Sequence, residues 1–163
     1  MRPMRRSAQA LSREDCHSIL NRCTHGVLCL SGEDFPYGVP LSYVWQGDRL
    51  FFHCARQGEK LDRIAGNPKV CFTVVDEDQV VPEKLTTQFR SVMVFGTCRV
   101  LKEPEEIRQA LLALAQRYSG DFPELIEKEM SREMGNLCML ELIAEEISGK
   151  EAIEFVREKR REG

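Results

Sequence analysis

The sequence predicts a mainly β, α+β fold: six antiparallel strands closed into a small barrel, with peripheral helices. Three observations predict it. Apolar or alternating runs of strand length recur along the chain, most are joined by short turns rich in Gly, Asp and Pro, and the helical segments between them are short. The 163 residues fit a single domain that can bury a core without metal or disulfide staples. Residues 1–11 read as a lead into it and residues 151–163 as a helical tail.

The first helix begins at Ser12, a capping residue with Asp15 three positions on. Cys16, Ile19, Leu20 and Cys23 follow at helical spacing, and Gly26 closes the region. Strands are predicted over 27–30 and 37–46, the second alternating Val39, Leu41, Tyr43 and Trp45 against Pro40, Ser42 and Val44. A tight connection at 46–48 leads to a strand over 49–54, which is hairpin grammar. A short helix over 58–65 stops at Gly66, Asn67 and Pro68. The next strand covers 69–75, and residues 76–87 read as a polar loop. The longest strand, 89–101, is interrupted by Gly96, a predicted bulge or close approach. Pro104 opens a helix with Ile107, Leu111, Leu114 and Tyr118 on one face. After a break at 120–123 come a helix over 124–134, a strand over 137–142 that can extend to 147, and a charged helix over 151–161 anchored by Ile153 and Val156.

Composition excludes several classes. The net charge of −3 argues against non-specific affinity for nucleic acid or an anionic membrane. No window approaches 18 apolar residues, so no membrane span is predicted. Residues 1–10 show no targeting pattern, and the expectation is a cytoplasmic protein. Seven cysteines, an odd number without CxxC pairs, read as small buried hydrophobes in a reducing compartment. His17, His25 and His53 add no familiar zinc spacing, so no metal site is predicted.

The segment HCARQGEK (53–60) carries the strongest chemical signal. It lies where a strand ends and a helix begins, and a first helical turn offers unpaired N–H groups with positive dipole character. Gly58 permits close backbone approach, and Arg56 and Lys60 add positive charge. An anion or phosphate cradle is one reading; a solvated basic turn beside a core histidine is the other. Two further candidates are Pro40–Tyr43, on a strand whose proline favours an edge or a bulge, and Arg90 with Ser91 at a strand start. Core packing of Tyr43 and Trp45 and solvation of Arg90 are the plain alternatives.

An ordered series of motifs raises all three: LSRE (11–14), GVL (26–28), PYGVPLSY (36–43), FFHCARQGEKL (51–61), NPKVCFTV (67–74), VPEKLTT (81–87), RSVMVFG (90–96) and ISGK (147–150). The series resembles the FMN-binding split-barrel proteins of the pyridoxamine 5'-phosphate oxidase-like superfamily, nearest to the branch of 5-nitroimidazole resistance proteins. The resemblance implies a split barrel and a homodimer with FMN at the subunit interface. It implies that the segment around Lys60, with Arg56 and Gly58, holds the phosphate. Pro40, Leu41, Ser42 and Tyr43 would run along the flavin ring, with Arg90 and Ser91 nearby. His53 matches a histidine that lies close to the flavin and is the candidate catalytic residue. The chain is shorter than a true pyridoxamine phosphate oxidase and lacks a match to its C-terminal substrate segment, and Cys54 replaces a common serine.

Three functions follow as expectations. The first is an FMN-dependent oxidoreductase that passes electrons from a reduced nicotinamide or flavin to a small electron-poor acceptor, a nitroaromatic being one candidate. With no GxGxxG fingerprint, NADH or NADPH would bind only transiently. The second is a flavin-binding or storage protein without turnover. The third is a pyridoxamine phosphate oxidase-like activity.

Overall fold

The computed structural model describes residues 3–32, 34–133 and 136–162. Its elements in chain order are α1 (Arg13–Arg22), β1 (His25–Leu30), β2 (Tyr37–Ser42), β3 (Val44–Gln46), β4 (Arg49–Cys54), α2 (Glu59–Gly66), β5 (Lys69–Val81), β6 (Thr86–Val100), α3 (Pro104–Ser119), α4 (Pro123–Glu133), β7 (Cys138–Glu151) and α5 (Ile153–Glu162). All strand pairs are antiparallel, in the order β2-β1-β5-β6-β7-β4-β3.

The described residues form seven strands rather than six, because the expected strand over 37–46 breaks at Tyr43. Residues on one side of the break pair with β1 (Val27 with Pro40), and those on the other pair with β4 (Val44 with Phe51). β2 and β3 are therefore the two edges of one curled sheet, joined by one residue. This is how the sheet becomes a split barrel: a continuous stretch of chain links its edges, without a ladder between them.

The polar loop expected over 76–87 is a hairpin. β5 and β6 stay paired out to Val81 and Thr86 and turn through Pro82–Lys84. Its apolar residues Val80 and Leu85 are exposed, so the usual inward-facing pattern that marks a strand is missing there. Gly96 is the expected irregularity. The register slips there, Phe95 facing Glu146 and Gly96 facing Ala144. A Cβ on Gly96 would sit 1.9 Å from the Ile143 carbonyl, so only glycine fits.

Inward-facing Leu28, Leu50, Phe52, Phe72, Val92 and Leu142 fill the barrel, with Tyr43 and Trp45 among them. Ser12 caps α1 as the spacing predicts, its hydroxyl accepting the Asp15 N–H at 3.0 Å. Cys16, Ile19 and Leu20 of α1 then plug one barrel end. The buried Tyr43 hydroxyl donates to the Leu20 carbonyl at 2.8 Å and ties strand to plug.

The outer surface is asymmetric. α3 packs Ala110 and Leu114 on Val44, Met139 and Leu101. Among the described residues, the outer side of β2-β1-β5-β6 has no such cover, and Val27, Val75 and Met93 stay 37%, 59% and 38% exposed there.

At the break, the Tyr43 N–H donates to the Tyr118 hydroxyl at 3.1 Å. That hydroxyl lies against the carbonyls of Tyr43 (2.7 Å) and Thr24, either of which can take its proton. Removing one partner from a buried polar group costs about 1–3 kcal/mol. Tyr118→Phe is expected to lose that much in urea unfolding, whereas Phe122→Leu, at an exposed site, should lose almost nothing.

Asp76 is the bulged residue between Val75 and Glu77, and it turns to α1. Arg22 grips its carboxylate through Nε (2.6 Å) and Nη2 (2.5 Å). Burial alone would push this carboxyl up, but the Arg22 hydrogen bonds and charge outweigh it and the pKa falls below its ordinary value. A depressed carboxylate stabilises the fold above its unfolded pKa, near 3.9, and the contribution is lost as pH falls through the lower folded value. Asp76→Asn is expected to cost stability at pH 7 and much less at pH 2. Equal losses at both pH values would show that charge is not the source.

Candidate functional site

The break at Tyr43 also builds the candidate site. Extending the β3–β4 register by two residues would set Ser42 opposite His53. Instead β2 has left β4 for β1, so Pro40, Leu41 and Ser42 line one side of the break and His53 the other. Pro40 and Ser42 are exposed, and Leu41 is half-buried against the core. α3 crosses this region, with Tyr118 at the Tyr43 backbone.

His53 is on the outer face of β4, opposite Met139 of β7. It opens into a cavity of about 260 Å³ whose apolar wall is Leu111, Ala115, Ile126, Met130 and Leu137, with Glu129, Arg132 and Glu133 beside them. Two larger cavities, a 590 Å³ one over Cys29, Cys71 and Phe95 and a 660 Å³ one between α3 and α4, contain none of the sequence-predicted site residues.

After His53 and Cys54 the chain turns into α2. Gly58 is its N-cap at φ +133°, and no side chain caps the helix. The Gly58 carbonyl accepts from Leu61 at 2.8 Å, so the helix ladder starts there and the preceding N–H groups of the first turn are left over. The first turn also carries Glu59 and Asp62; Arg63, one turn on, pairs with Glu59 at 2.5 Å and with Asp34 at 2.9 Å. Lys60 is half-buried, and Arg56 is exposed at the turn with a contact of its own. The Lys60 charge reaches back to Cys54, although burial dominates there and pushes that thiol up to about 11.

This geometry is joined by a family match. A model of the pyridoxamine 5'-phosphate oxidase family matches residues 12–151. The chain belongs to that family. An uncharacterised protein of Rhizobium meliloti (strain 1021) is 31% identical over 88 residues, 54% of each chain, so the match spans about half of that relative. Among solved structures, the flavocytochrome Anf3 from Azotobacter vinelandii superposes with a TM-score of 0.77 at 18% identity, over 92% of this chain and 72% of the other. A candidate 5-nitroimidazole antibiotic resistance protein from Bacteroides thetaiotaomicron gives 0.72 at 21%, over 86% and 85%. An FAD-binding protein from Mesorhizobium loti gives 0.62 at 21%, over 88% and 97%. At these identities the likeness is one of fold.

Within this pyridoxamine 5'-phosphate oxidase fold, two expected site residues have other employment. The Tyr43 ring is 1% exposed and packs edge-on against Phe72, so its side chain belongs to the core. Arg90 bonds Glu77 at 2.7 Å, meets the buried Glu151 at 3.4 Å and lies 3.9 Å from the centre of the Phe155 ring. Its guanidinium holds α5 against the sheet. Ser91 is half-buried on the uncovered outer face, between Val75 and Lys150. Its neighbour Met93 shares a cross-sheet row with Thr73, Val27 and Pro40. Three strand spacings therefore separate Ser91's strand from Pro40's, roughly 14 Å.

The cysteines are all free, but only Cys16, Cys54 and Cys98 are fully buried, while Cys29 is exposed. Burial pushes the Cys98 thiol up to about 12. Tyr118 and the α3–α4 wall of the His53 cavity were not expected at the site. The helical spacing of Tyr118 marks it as apolar-face packing, and nothing local reveals that its hydroxyl serves a broken strand.

The backbone requirement of this turn can be checked at Gly58. A Cβ there meets nothing within 4 Å, yet its φ is one that side chains rarely adopt. Gly58→Ala is expected to cost on the order of 1–3 kcal/mol in urea unfolding, from backbone strain alone. A neutral result would show that the turn relaxes and does not require glycine.

Proposed function

We propose that the protein binds FMN at the break between β2 and β4 and works as a flavin-dependent oxidoreductase on a small electron-poor acceptor. The observation that carries this reading is the start of α2: uncapped N–H groups, an open Gly58 and a half-buried Lys60, next to His53 and the lips of the break. These suit the terminal phosphate, with Arg56 beside them. Pro40, Leu41 and Ser42, with the Tyr43 backbone, would lie along the ring. The bound flavin would supply the redox chemistry, and the chain supplies position and electrostatics. Here His53 would hold or move a proton at a ring nitrogen on the cavity side. A reduced nicotinamide or flavin would donate electrons, visiting without a domain of its own.

A homodimer supports the same site. Ser91 lies on the uncovered sheet face, some 14 Å across the strands from Pro40, while His53 lies under α3. One flavin gathers these groups most readily where two chains meet. The exposed Val27, Val75 and Met93 suit that face for a partner copy. Arg90 would then position Ser91 rather than touch the ligand. Among the described residues, no helix is long and apolar enough to cross a membrane.

Flavin storage without turnover is the second reading, favoured by relatives of this fold that are described only as binding FAD. Stopped-flow reduction by NADH or NADPH separates the two, since a storage protein would not be reduced at a useful rate. Native mass spectrometry is expected to show one FMN per chain in a dimer.

Lys60→Ala tests the phosphate site. A charge-assisted hydrogen bond is worth about 1.5–3 kcal/mol, so FMN affinity should fall on the order of 10- to 100-fold. Riboflavin, which lacks the phosphate, should bind almost as before. Equal losses for both would mean that Lys60 supports the pocket, and no loss for either would reject this placement. His53→Ala should keep FMN affinity and lose turnover; unchanged turnover would remove His53 from the chemistry.

A further inference from the structure

Beside the α2 turn, Cys54 of β4 and Cys138 of β7 are direct partners across the antiparallel ladder. Such partners have Cα atoms about 4.5 or 5.5 Å apart, inside the range of about 4.4–6.8 Å that a disulfide spans. As direct partners they stand on the same face of the sheet, so both thiols project to the same side. Both are free in this structure.

We propose that Cys54 and Cys138 form a reversible intramolecular disulfide, with a hydroperoxide as oxidant. This goes beyond the flavin reading and does not depend on it. The two positions divide the labour. Cys138 is half-buried whereas Cys54 is buried, so a small oxidant meets Cys138 first. Its thiolate attacks the peroxide, the O–O bond breaks, water leaves and a sulfenic acid forms. Cys54, 8% exposed, then attacks that sulfur. The S–S bond forms, the S–O bond breaks and a second water leaves. Two thiols and one hydrogen peroxide thus become one disulfide and two waters. Burial pushes the Cys54 thiol up to about 11, which makes it the slower nucleophile and places its attack second, and the positive charge of Lys60 favours the thiolate needed for that step.

The fold contains its own control. Cys29 and Cys71 are also cross-strand partners, on β1 and β5. Cys29 has a weak contact to the Val27 carbonyl, Cys71 to Thr73 and Cys138 to the Met139 carbonyl, so the peptide map decides which pair closes.

The test treats the full chain, without added flavin, with one equivalent of hydrogen peroxide, then alkylates free thiols and digests with trypsin. The expected product has lost two hydrogens and joins the peptide of residues 50–56 to that of residues 133–150. Dithiothreitol should restore both thiols. Cys138→Ser, a half-buried and isosteric change, should abolish the link, and Cys29→Ser should leave it intact. A link through Cys98 or between Cys29 and Cys71, or oxidation to sulfinic acid without a link, would overturn the proposal. Because no flavin is present, failure here leaves the FMN reading standing, and failure of FMN binding leaves this one standing.

Discussion

The break at Tyr43 is the constraint on which the rest of the barrel depends. One stretch of ten residues has to serve both edges of the sheet, and a strand cannot pair with β1 and β4 along its whole length. Where it switches, its backbone groups lose their ladder while the residue itself is buried, a costly combination unless something else pairs them. The Tyr118 hydroxyl does so from α3. A helix thereby becomes part of the backbone hydrogen bonding of the sheet. Its position then follows: α3 must lie over β3, β4 and β7, which puts its apolar face on Met139 and Val44 and puts Ala115 beside His53. The opposite half of the barrel stays bare for the same reason, since one helix can cover only one side of the break.

Two buried carboxylates fix the register around this arrangement. Glu141, 1% exposed on β7, is held by Arg49 at 2.7 Å from β4 and by Arg99 at 2.5 Å from β6. Glu151, 3% exposed at the end of β7, is held by Arg90 and by Lys159 at 3.0 Å. A buried carboxylate with one partner removed is strongly destabilising, whereas the intact pair contributes little net energy. Such groups therefore select one arrangement rather than add stability. A slip of β7 by one residue would turn Glu141 into the barrel, against Leu50 and Phe52, and turn Leu140 and Leu142 out of it. Glu151 does for the C-terminal helix what Glu141 does for the sheet, and this explains why Arg90 is occupied.

Much of the fold was legible because its signals are local. The Ser12 cap, the turn at 46–48, the helix start at Gly58 and the bulge at Gly96 each follow from a few adjacent residues. What was not legible depends on distant partners. The alternation from Val39 to Trp45 is unbroken, so nothing in it marks Tyr43 as the point where the pairing partner changes. The β5–β6 extension escaped because backbone hydrogen bonds hold it without a core, and hydropathy records only cores. Pro40, Ser42 and His53 flank the break, and Gly58 and Lys60 lie at the helix start that follows β4. Tyr43 and Arg90 read as ligand contacts in that motif, but burial claims the first and two glutamates claim the second. The sequence shows residue type and order; it does not show which neighbour reaches a side chain first.

That competition also bears on what the site can select. The fold is shared by proteins described as binding FAD or as flavocytochromes, so the barrel alone does not choose a redox group. Choice has to come from the groups that remain uncommitted once the scaffold is satisfied. On one lip these are the edge residues Pro40 and Ser42. Proline brings no N–H to β2, so this edge is a poor template for another strand and stays open to a ligand. On the other lip they are His53 and the uncapped turn at Gly58 and Lys60, where Arg63 has already drawn off Glu59 and Asp34. Arg63 offsets the charge of Glu59, but Asp62 also lies in the first turn of α2. The sign of the field at this helix start is therefore set by Arg56, Lys60 and Arg63 against Glu59 and Asp62, and the helix dipole adds to the positive side.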